Sequence, residues 1–116
     1  MKKNEMIKKS EEFSSMIKTS YRLKNKYYNI YIRKGKYNYP HFGIGITKKI
    51  GNAVQRNLYK RRMRMILDNY KNDLQSNEDY LIILKENVNT LSYEEMLKSF
   101  NDLINERKLK WKNIIE

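Results

Sequence analysis

Between Lys48 and Arg64 the chain reads KKIGNAVQRNLYKRRMR, with seven cations (Lys48, Lys49, Arg56, Lys60, Arg61, Arg62, Arg64) and no carboxylate. Gly51-Asn52 interrupts what precedes it, and either residue can cap a helix that runs on from Ala53. At helical spacing, Tyr59, Met63, Ile66, Leu67 and Tyr70 form one apolar stripe that can face a core. Arg56, Asn57, Lys60, Arg61 and Arg64 fall on a neighbouring face. Guanidinium forks and ammonium groups in such a row suit successive phosphates of a nucleic-acid backbone. The free N–H groups at the helix start add an anion site. A solvated charged face normally mixes signs. Here no acid comes within helical reach of the row until Asp68, so the repelling cations point to an anionic partner.

The rest of the chain is poor in catalytic chemistry. There is no cysteine, which excludes a disulfide framework, a thiolate nucleophile and a cysteine-ligated zinc. His41 is the only histidine, has no acid near it in sequence, and is given no role. No Asp-x-Asp or Glu-x-x-His pattern occurs, and the basic half has no carboxylate with which to build a two-metal nuclease site. Binding without catalysis is the expectation for this polypeptide.

The charge distribution locates the partner surface. The chain of 116 residues is long enough for one domain with a modest core, and its net charge is +12. From Phe13 to Leu67 there are fourteen Lys and Arg and no acid; the remainder carries eleven cations and all thirteen acids. The first helix, first strands and motif helix are therefore the binding half, and the C-terminal part is scaffold. No apolar run approaches a membrane span, and MKKNEMIKKSEEF has no apolar core for a signal peptide. A cytoplasmic location is expected, with no membrane partner.

The elements that must position these residues can be read in order. Met1 to Lys9 is expected to be flexible. Ser10 can cap a first helix with Glu11 and Glu12 in its first turn, Phe13, Met16 and Ile17 on one face, and an end near Ser20. Tyr21 to Lys26 reads as a polar, basic connector. Tyr27 to Arg33 alternates as a strand, with Tyr28, Ile30 and Ile32 on one face and Tyr27, Asn29, Tyr31 and Arg33 on the other. After a turn through Gly35 and Pro40, Phe42, Ile44 and Ile46 alternate with Gly43, Gly45 and Thr47. The motif helix fades between Tyr70 and Gln75, and Ser76 to Glu78 turns the chain. Asp79 to Leu84 reads as a central buried strand, and Lys85 to Thr90 as a loop. Ser92 with Glu95 forms a capping box and Leu91 with Met96 a staple for a last helix reaching about Lys110. The order gives an α+β sandwich with helices on a small mixed sheet. Phe13, Tyr27 and Tyr31 beside cations could be a stacking platform for single-stranded nucleic acid, or core and ordinary strand residues.

The run KKIGNAVQRN, followed by Lys60-Arg61 and Arg64, resembles the signature of the bacterial ribonuclease P protein subunit. That signature has Gly-Asn-Ala-Val, then Arg-Asn-Arg, then Lys-Arg and a later Arg, on one helix. Arg56, Asn57, Lys60, Arg61 and Arg64 match, whereas Leu58 stands where the family usually has a third basic residue. Chain length, the Phe-bearing first helix, the order of elements and the DYLII strand extend the resemblance over most of the chain. It implies a single-domain two-layer sandwich, α-β-β-β-α-β-α, with a left-handed βαβ crossover around the motif helix.

The resemblance also implies a ribonucleoprotein endonuclease of the hydrolase class. Its RNA subunit would use Mg²⁺, held mainly by that RNA and the substrate, to remove the 5′ leader of precursor tRNA. One protein would dock per catalytic RNA. Lys48, Lys49, Asn52, Arg56, Asn57, Lys60, Arg61 and Arg64 would contact RNA. A cleft between the first helix and the sheet would hold the leader: Phe13 and Tyr31 match its aromatic positions, Ile17 lies where a second helix aromatic is common, and Asn29 and Gly45 also fall on cleft positions. Two other readings compete. A ribosomal or ribosome-assembly protein binding only folded RNA would not need Phe13 and Tyr31 on one groove. A DNA-binding protein using the basic helix in a major groove fits poorly with a mixed sheet and no dimer seam.

Overall fold

The computed structural model describes residues 5–8, 10–74 and 77–115, with side chains as far as residue 107. Three helices, α1 (Ser10–Thr19), α2 (Ala53–Tyr70) and α3 (Tyr93–Ile115), accompany four strands. The strands are β1 (Tyr21–Lys24), β2 (Tyr28–Lys34), β3 (His41–Ile46) and β4 (Glu78–Leu84). They form one mixed sheet in the order β1-β2-β4-β3. β1 and β2 are antiparallel, as are β2 and β4, whereas β3 and β4 run parallel with α2 as their crossover. The element order is the expected α-β-β-β-α-β-α.

The alternation in the strands decides which face is buried. Leu23, Tyr28, Ile30, Ile32, Phe42, Ile44, Tyr80, Ile82 and Leu84 all point to one side. There they meet Met63, Ile66 and Leu67 of α2 and Met96, Phe100, Leu103 and Ile104 of α3. Tyr28 is fully buried, its hydroxyl donating to the Met96 carbonyl at 3.0 Å. Burial pushes that phenol well above the usual tyrosine range. α1 lies on the opposite face, where Met16 packs with Tyr31 and Leu81.

Four local expectations are corrected. Tyr21–Lys24, read as connector, is the edge strand β1, because Leu23 alternates into the core between exposed Arg22 and Lys24. Lys85 to Thr90 is not plain loop but holds a 3-10 turn, Glu86–Thr90, anchored by buried Val88. Tyr27 precedes β2 and packs against the main core rather than the open face. Within the N-terminal segment expected to be flexible, Met6 bridges to Phe42 of β3, Ile7 donates its N–H to the Phe42 carbonyl at 2.7 Å, and Ile7 is buried. This segment covers the outer edge of β3, which would otherwise expose unpaired backbone. Met1–Asn4 and Lys9 of that segment, Gln75 at the expected end of the motif helix and Ser76 of the expected turn lie outside the described residues.

Candidate nucleic-acid interface

The start of α2 is built by two residues. Asn52 accepts the Gln55 N–H at 3.0 Å through its side chain, and Gln55 Oε1 accepts the Asn52 N–H at 3.1 Å, a closed capping box. Gly51 sits at φ 150° and ψ −157°, a conformation open essentially to glycine, and a Cβ there would run into the Gln55 side chain. The break between the 3-10 turn Lys48–Ile50 and α2 is thus fixed in shape.

Along α2 the two faces sort as the spacing predicts. Met63, Ile66 and Leu67 are buried, while Asn57, Arg61 and Arg64 are exposed and Arg56 and Lys60 half-exposed. Among the described residues none of Arg56, Lys60, Arg61 and Arg64 forms an ion pair. Arg62 is different: it donates to the Leu91 carbonyl at 3.3 Å and lies 5.5 Å from the centre of the Tyr59 ring, so it braces the helix on the scaffold. Lys48, Lys49 and Asn52 are exposed at the helix start. Asn52 has its side-chain oxygen committed to the cap, one of the two capping choices its place before Ala53 offered.

The strand register defines the second surface. Paired residues share a face, so the side of the sheet under α1 presents three rows. One is Lys24, Asn29, Ile83 and Gly45; the next is Arg22, Tyr31, Leu81 and Gly43; the last is Arg33, Asp79 and His41. α1 lies over the middle row. A Cβ on Gly43 would come within 2.9 Å of the Phe13 ring, so that ring rests directly on the glycine backbone. Tyr31 is only 7% exposed, closed in by Met16 and Leu81. Ile17, one turn after Phe13, is 47% exposed. The first row stays open: Asn29, Ile83 and Gly45 are half-exposed. Asn29 Oδ1 is buried without a hydrogen-bond partner among the described residues.

Of the five expected cleft residues, Asn29, Tyr31 and Gly45 share the sheet face that α1 covers, Phe13 lies on that face from α1, and Ile17 is exposed on α1. Phe13, Ile17, Asn29 and Gly45 border the open groove, and Tyr31 is its wall. Ile83 belongs to the same floor and was missed; its place opposite both Asn29 and Gly45 is visible only in the register. Arg22 and Lys24, read only as part of a basic connector, stand on β1 and share this face of the sheet.

The acids serve the scaffold. Arg33 Nε donates to Asp79 Oδ2 at 3.0 Å and its guanidinium lies 3.7 Å from Glu12, tying β2 to α1. Asp79 also approaches His41 Nδ1 at 3.6 Å, and the His41 ring lies against Tyr37 and Tyr39. Arg107 makes a forked pair with Glu78, both contacts at 2.9 Å, joining α3 to β4. No described helix is long and apolar enough to cross a membrane. The surface left over is a cation row joined through Lys48–Ile50 to an apolar and amide groove. It can grip phosphates and accept flat bases.

Known proteins carry the same plan. A model of the Ribonuclease P family matches residues 1–108. The ribonuclease P protein component of Streptococcus pneumoniae is 36% identical over 99 residues, covering 85% of this chain and 80% of that one. The Staphylococcus aureus RNase P protein superposes with a TM-score of 0.83 at 25% identity, over 90% of this chain and 95% of that chain. The RNase P protein of Thermotoga maritima shares the fold, with a TM-score of 0.76 at 24% identity over 85% and 94% of the two chains. The chain belongs to the ribonuclease P protein component family, the protein part of a tRNA-processing endoribonuclease.

Proposed function

We propose that this chain docks on a catalytic RNA and holds the 5′ leader of precursor tRNA while that RNA performs Mg²⁺-dependent hydrolysis. The observation that carries this reading is the pairing of two surfaces: a row of α2 cations without carboxylate partners among the described residues, joined to a groove floored by Asn29, Ile83 and Gly45. Arg56, Lys60, Arg61 and Arg64 bind phosphates of the RNA subunit, with Lys48 and Lys49 at the positive end of α2. Asn57 adds directional hydrogen bonds. Phe13 and Ile17 contact leader bases from α1, and the Asn29 amide meets a base edge from the sheet. One protein serves one RNA in the cytoplasm.

This interface offers amides, cations and apolar groups. Mg²⁺ takes carboxylate, phosphate and water oxygens, so its ligands in this proposal come from the RNA subunit and substrate. What the protein supplies is position: a leader held in the groove orients the scissile bond relative to the docked RNA.

The test uses pre-assembled particles and substrates with and without a leader. Phe13→Ala is expected to weaken precursor tRNA binding by about tenfold, from a lost contact of about 1–3 kcal/mol, and to leave mature tRNA unchanged. Equal weakening of both substrates would remove the groove from the mechanism. Protein without RNA is expected to cut no precursor.

A further inference from the structure

The open row does not stop at the groove. Continuing across the sheet from Gly45 through Ile83 and Asn29 it reaches Lys24 on β1, with Arg22 in the adjoining row. Three strand spacings separate β3 from β1, about 14 Å. Lys24 and Arg22 are exposed, and β1 is the outer strand of the sheet. Lys85, just past the end of β4, joins them: its ammonium donates to the Asn25 carbonyl at 2.7 Å. Burial first, then the nearby charges of Lys24 and Arg22, pull the Lys85 ammonium below the usual lysine range. None of Arg22, Lys24 and Lys85 forms an ion pair with a described residue. Three cations thus converge at the end of the groove remote from β3 and α2.

We infer that the β1 edge is a second phosphate track, which takes single-stranded RNA as it leaves the groove. The chemistry is that of a polyanion. A strand lying across the row from Gly45 to Asn29 has its backbone delivered to Lys24 and Arg22, where an extended chain of cations matches consecutive phosphates. The occupant is the upstream part of the leader, and the inference rests on the leader-binding reading given above. It adds a dependence on leader length that the groove alone does not require.

The experiment measures binding of precursor tRNAs with long and truncated leaders, and of mature tRNA, to assembled particles carrying Arg22→Gln with Lys24→Gln. Both side chains are exposed, so the fold has no stake in their charge. Lys85 is left intact because it holds the Asn25 carbonyl. Long-leader precursor is expected to bind about tenfold more weakly. Its salt slope should fall by about 1.4, from two lost contacts of about 0.7 each. Truncated precursor and mature tRNA are expected to bind as to the parent. Unchanged long-leader binding overturns the track. A loss that extends equally to mature tRNA also overturns it, because the cations would then serve docking of the RNA subunit. Phe13→Ala in parallel keeps the two readings apart: it should weaken the truncated leader, and if it does not, the groove reading fails while the length dependence at β1 still stands or falls by itself.

Discussion

Tyr31 shows how a correct face can still mislead about access. Its alternation with Ile30 and Ile32 placed it on the open side, and there it is, but α1 closes over it until 7% remains exposed. Tyr31→Ala is therefore expected to cost about 3–5 kcal/mol of stability, like other large-to-small core changes, read as a lower urea midpoint. Tyr31→Phe should keep both the fold and leader affinity. The free surface is at Ile17 and Gly45 instead. A Cβ on Gly45 would meet only Ile83, 2.6 Å from the end of that flexible side chain. Gly45→Ala should thus fold after a rotamer change and weaken precursor but not mature tRNA, measured on assembled particles. Gly43 has no such slack, because Phe13 and Leu81 both crowd it. Period-two patterning names the face of a residue, while its depth depends on a helix docked from elsewhere in the chain.

At the scale of elements, caps were the most readable feature. Gly51-Asn52 and Ser92…Glu95 carry their geometry in neighbouring residues: Asn52 caps α2 as expected, in a box with Gln55 that was not foreseen, and the Ser92–Glu95 box closes as expected. Asn52 can separate shape from charge. Asn52→Ala should lose the cap and about 1 kcal/mol of stability. Asn52→Asp keeps an acceptor at a favourable helix start, so it should stay stable by thermal melting while weakening RNA assembly through its negative charge. The second box is pH-sensitive. Hydrogen bonds from Ser92 hold the Glu95 carboxyl below the usual range. The folded pKa is below the unfolded one, so the stabilisation is present above about pH 4.3 and fades as pH falls through the lowered folded value. Glu95→Gln should remove that part of the acid dependence, seen as a flatter plot of melting temperature against pH. β1 was the least readable element: four residues with one core side chain give too short a pattern to distinguish strand from connector. Its pairing with β2 comes from the sheet, not from its own sequence.

The molecule as a whole is divided by charge. The stretch from Phe13 to Leu67 holds fourteen cations without an acid, and the rest is close to neutral. Folding keeps that division, since the ion pairs of Glu78, Asp79 and Glu5 lock α3, β2 and α2 to the scaffold and leave Arg56, Lys60, Arg61 and Arg64 outside them. This was legible from composition alone. What was not legible is that the basic half wraps both sides of the sheet, with α2 on one face and α1 on the other. The cation row has a kinetic consequence. A body whose cations and acids are set apart is an electric dipole, and the field of a polyanion turns it before the two touch. Under the docking proposed above, encounters would begin with α2 facing the RNA, so fewer collisions would be wasted on wrong orientations. Stopped-flow association with the RNA subunit should slow steeply as salt shortens the screening length from about 30 Å at 0.01 M to about 8 Å at 0.15 M. Dissociation should change much less. Reversing one exposed charge in the row, as in Arg61→Glu, should slow capture more than it loosens the neighbouring contacts of the formed particle.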